Sequence, residues 1–174
     1  MTRLVAIQAD ITTVHADVLV NAANSSLMGG GAVDGAIHRV GGPAILAECK
    51  EIVARRGPLP TGQAVITTAG DLPARHVVHT VGPIWGAVTD EDAVALLASC
   101  YRNSLDLARE VDAESVAFPS ISTGVYHFPK PLAATTAVDS VRGWVTGEPG
   151  TVETVTFVCF ALVDLELYQE ALAD

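Results

Sequence analysis

The stretch ADVLVNAANSSLMGGGAVDGAIH spans residues 16 to 38 and decides how the rest of the chain is read. It opens on the apolar, β-branched run Val18-Leu19-Val20, which reads as a buried strand. Two asparagines, two serines and three glycines then interrupt it, and a helix is expected to begin near Val33. Strand, loop and helix in that order point to an α/β protein, with the loop as the place to look for a ligand.

The same alternation extends along the chain. LVAIQ at 4–8, VLVN at 18–21, QAVITTA at 63–69, HVVHTV at 76–81, SVAFP at 115–119 and TVTFVCF at 154–160 read as six strands. Helical spacing is clearest after Asp90, read as an N-cap, where Ala93, Val94, Leu97, Cys100, Tyr101, Ser104, Leu105 and Ala108 share a face. Pro43 to Arg55, Leu132 to Val145 and Leu165 to Ala173 are the other helices expected. Strands with little polar alternation, separated by helices, predict a mainly parallel sheet covered on both faces, in three layers.

With 174 residues, 49% of them hydrophobic, the chain is expected to form one domain, residues 1–174, without a linker. Charged or turn residues break every apolar run short of a membrane span, and no leader pattern opens the chain, so a soluble protein is expected. Cys49, Cys100 and Cys159 are odd in number and lack ligand spacing, which favours a reducing cytoplasm and argues against structural zinc. A net charge of −10 with scattered Lys and Arg disfavours general nucleic-acid binding. Any phosphate must be held without cations.

Two loops can do that. In the first, Gly29-Gly30-Gly31 permits close backbone approach, and the helix start behind it offers free N–H groups to an anion. In the second, Ser120-Ile121-Ser122-Thr123-Gly124-Val125-Tyr126, hydroxyl and small residues again surround a glycine after an apolar strand. Neither has a Walker or Rossmann fingerprint, and each reads equally as a simple turn. Asp34 and His38, at i and i+4, share a face of the helix. Asp34 is also a natural N-cap, and His38 a natural packed histidine. Asn21 and Asn24 can serve only to cap loop backbone. Asp10 suits a turn or the cap of a short helix, with Ile11 as its anchor.

Taken together, ADIT at 9–12, residues 16–38, TVGPIW at 80–85, SISTGVYHFP at 120–129 and FVCF at 157–160 resemble the macrodomain family, nearly end to end. The resemblance implies a three-layer α/β/α fold with a mixed central sheet. It further implies binding of ADP-ribose and, through VDGAIH after NAAN, the branch that hydrolyses ADP-ribosyl esters: O-acetyl-ADP-ribose and ADP-ribosylated proteins modified on Asp or Glu. No cofactor or metal enters that chemistry. Carried over, Asp10 accepts the adenine amino group, Ile11 offers an amide and Phe160 covers the ring. Gly31 and Val33 belong to the ligand-binding set, and Ser122, Thr123, Gly124, Val125 and Tyr126 face the diphosphate. Asn24 holds the distal ribose, Asp34 is tied to hydrolysis, and His38 supports it. A carboxylate at a helix start is expected to stay ionised and to polarise water.

Ala32 and His127 depart from the family pattern, each standing where a glycine is usual. Ala32 places a methyl near the distal ribose, and His127 places a titratable ring beside the phosphate loop. A non-catalytic ADP-ribose-binding module and a phosphatase acting on ADP-ribose 1''-phosphate are the competing readings.

Overall fold

A computed structural model describes residues 1–174. Six strands form one sheet: β1 (Arg3–Gln8), β2 (Val18–Ala23), β3 (Ala64–Thr68), β4 (His76–Val81), β5 (Ser115–Phe118) and β6 (Thr154–Cys159), in the order β1-β6-β5-β2-β4-β3. Every neighbouring pair is parallel except β3 with β4. The sheet is therefore mixed, and the antiparallel β3 at its edge is the one departure from the parallel arrangement read from residue patterns.

Alternation along each strand divides the core. Val18 and Val20 face one layer and Leu19 the other, as do Val78 and Val77 on β4. Against the first face pack α3 (Asp90–Glu110), α4 (Lys130–Val145) and α5 (Leu162–Ala173); against the second pack α1 (Ala32–Gly41) and α2 (Pro43–Arg56). Both faces are buried, which is why the strands read as nearly continuous apolar runs. Each fully buried Val or Leu contributes about 1.5–3 kcal/mol by leaving water.

The helices begin where local chemistry allows. Thr89, rather than the expected Asp90, caps α3: its hydroxyl accepts the Asp92 N–H at 3.1 Å. Asp90, Glu91 and Asp92 then fill the first turn, where the helix dipole favours acids. Pro43 opens α2 directly after Gly42, whose φ of +84° lets the chain reverse between α1 and α2. No helix is long and apolar enough to cross a membrane.

Candidate functional site

Because five of the six strands run in one direction, the loops after β1, β2, β4, β5 and β6 meet at a single end of the sheet, the end where such sheets hold ligands. They enclose a cleft of about 520 Å³. Asp10, Ile11 and Phe160 line one part of it; Asn24, Gly31, Val33 and Asp34 line another; Ser122, Thr123, Gly124, Val125 and Tyr126 form a wall. His38 does not reach it. Gly82, Arg39 and Asp164 line the cleft as well, without having been singled out from the sequence.

The wall is a tight loop whose amides are mostly unspent. His127 N donates to Gly124 O at 3.0 Å and Phe128 N to Ser122 O at 2.9 Å, while the N–H groups of Ser122 to Tyr126 have no acceptor within the protein. Trp85 N donates to Tyr126 O at 2.9 Å and ties the loop to the segment after β4. A Cβ on Gly82 would overlap Ser122 Oγ and lie 2.6 Å from Ile121 Cγ2, so the absence of a side chain lets the loop sit this close. Opposite stands the start of α1, where Ala32, Val33 and Asp34 carry first-turn amides that likewise have no acceptor. Two sets of free N–H groups facing one cleft form an anion site that needs no lysine, and Arg39 is its sole basic side chain.

At the far end, Asp10 caps the short 3-10 turn Ile11–Thr13, accepting the Thr12 N–H at 2.9 Å and the Thr12 hydroxyl at 2.7 Å. These bonds hold its carboxyl below the usual range. Ile11 is buried beneath it, whereas Phe160 and Val125, each 83% exposed, stand as apolar lips on the cleft.

Asp34 is not a cap. Gly31 is the N-cap of α1, and the Asp34 side chain turns inward, 5% exposed, to accept the Asn21 Nδ2–H at 2.8 Å. Burial raises its pKa above the ordinary value, outweighing the Asn21 bond and the His38 charge that favour the anion. A Cβ on Gly30 would lie 3.1 Å from Asp34 Oδ2 and 3.3 Å from Asn24 Nδ2, so this glycine separates the carboxylate from the Asn24 amide. Asn24 braces the glycine loop, donating to Gly29 O at 3.0 Å and accepting the Ser26 N–H at 3.1 Å. Asn21 caps no loop and is fully buried. His38 Nε2 stands 3.4 Å from Asp34 Oδ1, and neither ring nitrogen has a hydrogen-bond partner.

Both departures from glycine fall on left-handed backbone: φ is +50° at Ala32 and +57° at His127. The Ala32 methyl lines the cleft. His127 follows Tyr126 at the end of the wall loop, but its ring is exposed and does not line the cleft. Tertiary structure also gathers His38, Cys49 and His79, with donor atoms within 4.8 Å of one another, although no sequence spacing announced them. His79 Nε2 is engaged with Thr67 Oγ1 at 2.9 Å, and burial pushes the Cys49 thiol up to about 11. With the His79 nitrogens engaged by Thr67 and Asn21 and the Cys49 thiol held protonated, the three are not a ready set of metal ligands.

The Macro domain family pattern matches residues 20–137, which hold the glycine loop, α1 and the amide-lined wall. The chain belongs to the macrodomain family. A macro domain-containing protein of Streptomyces nogalater is 57% identical over all of this macrodomain and 94% of its own length. An O-acetyl-ADP-ribose deacetylase of Enterobacter cloacae is 54% identical, over 95% of this macrodomain and 91% of its own chain. Among solved structures, a variant Oceanobacillus iheyensis macrodomain with ADPR superimposes with a TM-score of 0.92 at 42% identity, covering 99% of this macrodomain and 92% of that chain.

Proposed function

We propose that the cleft binds ADP-ribose and hydrolyses its esters, releasing mono-ADP-ribose from Glu and Asp side chains and acetate from O-acetyl-ADP-ribose. The observation that carries the reading is Asp34: a buried carboxylate with a raised pKa, lining a cleft whose other walls present free amides. Relatives named O-acetyl-ADP-ribose deacetylase support it. In this reading Asp10, the Ile11 amide and Phe160 take the adenine, the Ser122–Tyr126 amides take the diphosphate with Gly31 and Val33, and Asn24 steadies the distal ribose. Asp34 orients and polarises the attacking water, and His38 supports Asp34 from behind. The chain acts as one domain in a reducing cytoplasm, where its three buried cysteines stay as thiols.

Incubation with a Glu-linked ADP-ribosylated protein in ¹⁸O water, followed by mass spectrometry, tests the proposal. Release of ADP-ribose supports it, and the label's destination identifies the attacked atom: ADP-ribose for the anomeric carbon, the freed carboxylate for the carbonyl. Binding of ADP-ribose without release from either ester supports a binding module instead, the reading that the Ala32 methyl in the cleft favours. Release of inorganic phosphate from ADP-ribose 1''-phosphate alone supports the phosphatase.

A further inference from the structure

Behind the cleft, three polar side chains cross the sheet face covered by α1 and α2, one each from β2, β4 and β3. They are Asn21, His79 and Thr67, each no more than 2% exposed. Strand register sets Asn21 directly beside His79. With Thr67 donating to Thr68 O, their hydrogen bonds fall into a single direction. Thr67 donates its single hydroxyl proton to Thr68 O at 2.9 Å, so its oxygen accepts from His79 Nε2 at 2.9 Å. His79 Nδ1 is then a bare acceptor and takes one N–H of Asn21 at 3.0 Å. The other N–H of that amide goes to Asp34 Oδ1 at 2.8 Å.

Asn21 Oδ1 is left buried without a partner. An orphaned acceptor is tolerated here because the reversed amide is worse: it would aim that oxygen at both the Asp34 carboxylate and the imidazole lone pair. His79 and Asp34 together decide which way the amide points.

We infer that His79 is a positioning residue for Asp34: its Nδ1 lone pair locks the Asn21 amide so that an N–H always meets Oδ1, leaving Oδ2 on the side of Gly30 and the cleft. The inference rests on the proposed role of Asp34 in hydrolysis. His79 suits the task because it takes no charge, since burial and the neighbouring His38 push its pKa down to about 3. The ionisable groups around Asp34 are His38 on its own helix, 3.4 Å away, His79 behind Asn21 on β4, and Cys49 on α2. The carboxylate of Glu48, also on α2, is engaged by Thr68 N at 3.0 Å.

Nitrogen-15 NMR of the wild-type imidazoles tests the first step without any substrate. His79 should keep the neutral Nε2–H tautomer from about pH 5 to 9; a proton on Nδ1, or titration in that window, overturns the inference. His79→Leu removes the acceptor while keeping an apolar side chain, and His79→Asn returns an acceptor oxygen near the Nδ1 position. His79→Leu should bind ADP-ribose as wild type does, lose at least about tenfold in kcat with KM unchanged, and move the acid limb of the kcat profile to higher pH. His79→Asn should restore both. An unchanged kcat in His79→Leu, or equal losses in the two variants, overturns the inference. Should His79→Leu fail to fold, the tautomer measurement decides. If wild type binds ADP-ribose but cleaves no ester, the proposed function fails by itself. The Asp34 carboxyl carbon, titrated by ¹³C NMR in wild type and His79→Leu, then still reports: an upward shift sustains the inference and an unmoved titration overturns it.

Discussion

Ala32→Gly should make this protein more stable. Ala32 opens α1 with φ at +50°, outside the right-handed region, where a Cβ costs about 1–2 kcal/mol. Glycine removes that cost but returns about 0.4–1 kcal/mol through the greater freedom of the unfolded chain. Taking the middle of each range, the net gain is about 0.8 kcal/mol, and for a chain of this size each kcal/mol moves Tm by about 2–4 °C. His127→Gly is the built-in comparator: φ is +57°, but the side chain is exposed and away from the cleft. Both single variants should melt about 1–4 °C above wild type by calorimetry, with a matching rise in urea midpoint at constant slope. Ala32 opens α1 and His127 lies in the loop between β5 and α4, with no hydrogen bond between them, so their gains should add. Ester turnover should rise in Ala32→Gly alone, because only that methyl lines the cleft. A lower Tm in either variant would refute the backbone argument. Equal turnover changes in both would refute the assignment of the Ala32 methyl to the substrate.

Asp34→Asn should slow single-turnover release from Glu-linked protein at least about tenfold while keeping ADP-ribose affinity. Its effect on stability has the opposite sign to that of a typical salt-bridged acid. With the folded pKa raised, the stability Asp34 supplies is present at low pH and lost as pH rises through that pKa, so Asn should match or exceed wild type in Tm at neutral pH and lose the advantage in acid. A lower Tm for Asn at pH 7 would contradict the burial argument. If Asp34 acts as proposed, the acid limb of wild-type kcat should lie above the ordinary Asp value, and a limb at or below that value would contradict the burial argument. At the wall, a Cβ on Gly124 meets nothing within 4 Å, so Gly124→Glu should fold normally by circular dichroism yet lose ADP-ribose binding in calorimetry; normal binding would displace the diphosphate from this loop. Gly82→Ala should weaken binding by about ten- to a hundredfold by pushing the loop outward, and unaltered affinity would show that the loop's position is not held by this contact.

What could be read without coordinates followed from local chemistry. Val, Ile and Thr runs marked all six strands, and Pro43 marked the start of α2. Parallel or antiparallel pairing of β3 leaves no local trace, since QAVITTA reads the same in either direction of pairing. Residue type alone does not separate Thr89, the true cap of α3, from Asp90, because both are good capping residues one position apart. The deeper omission was the buried layer behind Asp34. Its signal existed: Asn21 shares a face with Leu19 and Ala23, and His79 with Val77 and Val81, so each is a polar residue in an apolar stripe. Seeing that they meet requires strand register, which two separate strands do not encode locally. Likewise, the position of Asp34 in a first helical turn was legible, but its burial, and with it the direction of its pKa, depends on residues far along the chain.

The amide-lined cleft separates arrival from capture by range. The chain carries a net charge of −10, and Asp10, Asp34 and Asp164 line the cleft against Arg39 alone. An approaching diphosphate meets repulsion that extends over roughly a Debye length, about 8 Å in physiological salt. Backbone dipoles attract it only once it is within hydrogen-bond distance. On the proposed placement of the diphosphate, added salt should speed arrival while leaving residence almost unchanged, the reverse of what a lysine-lined phosphate site does. A long polyanion feels the repulsion at every charge, yet only one of its diphosphates can enter. Such a cleft would sort visitors by how much charge they carry before testing their shape.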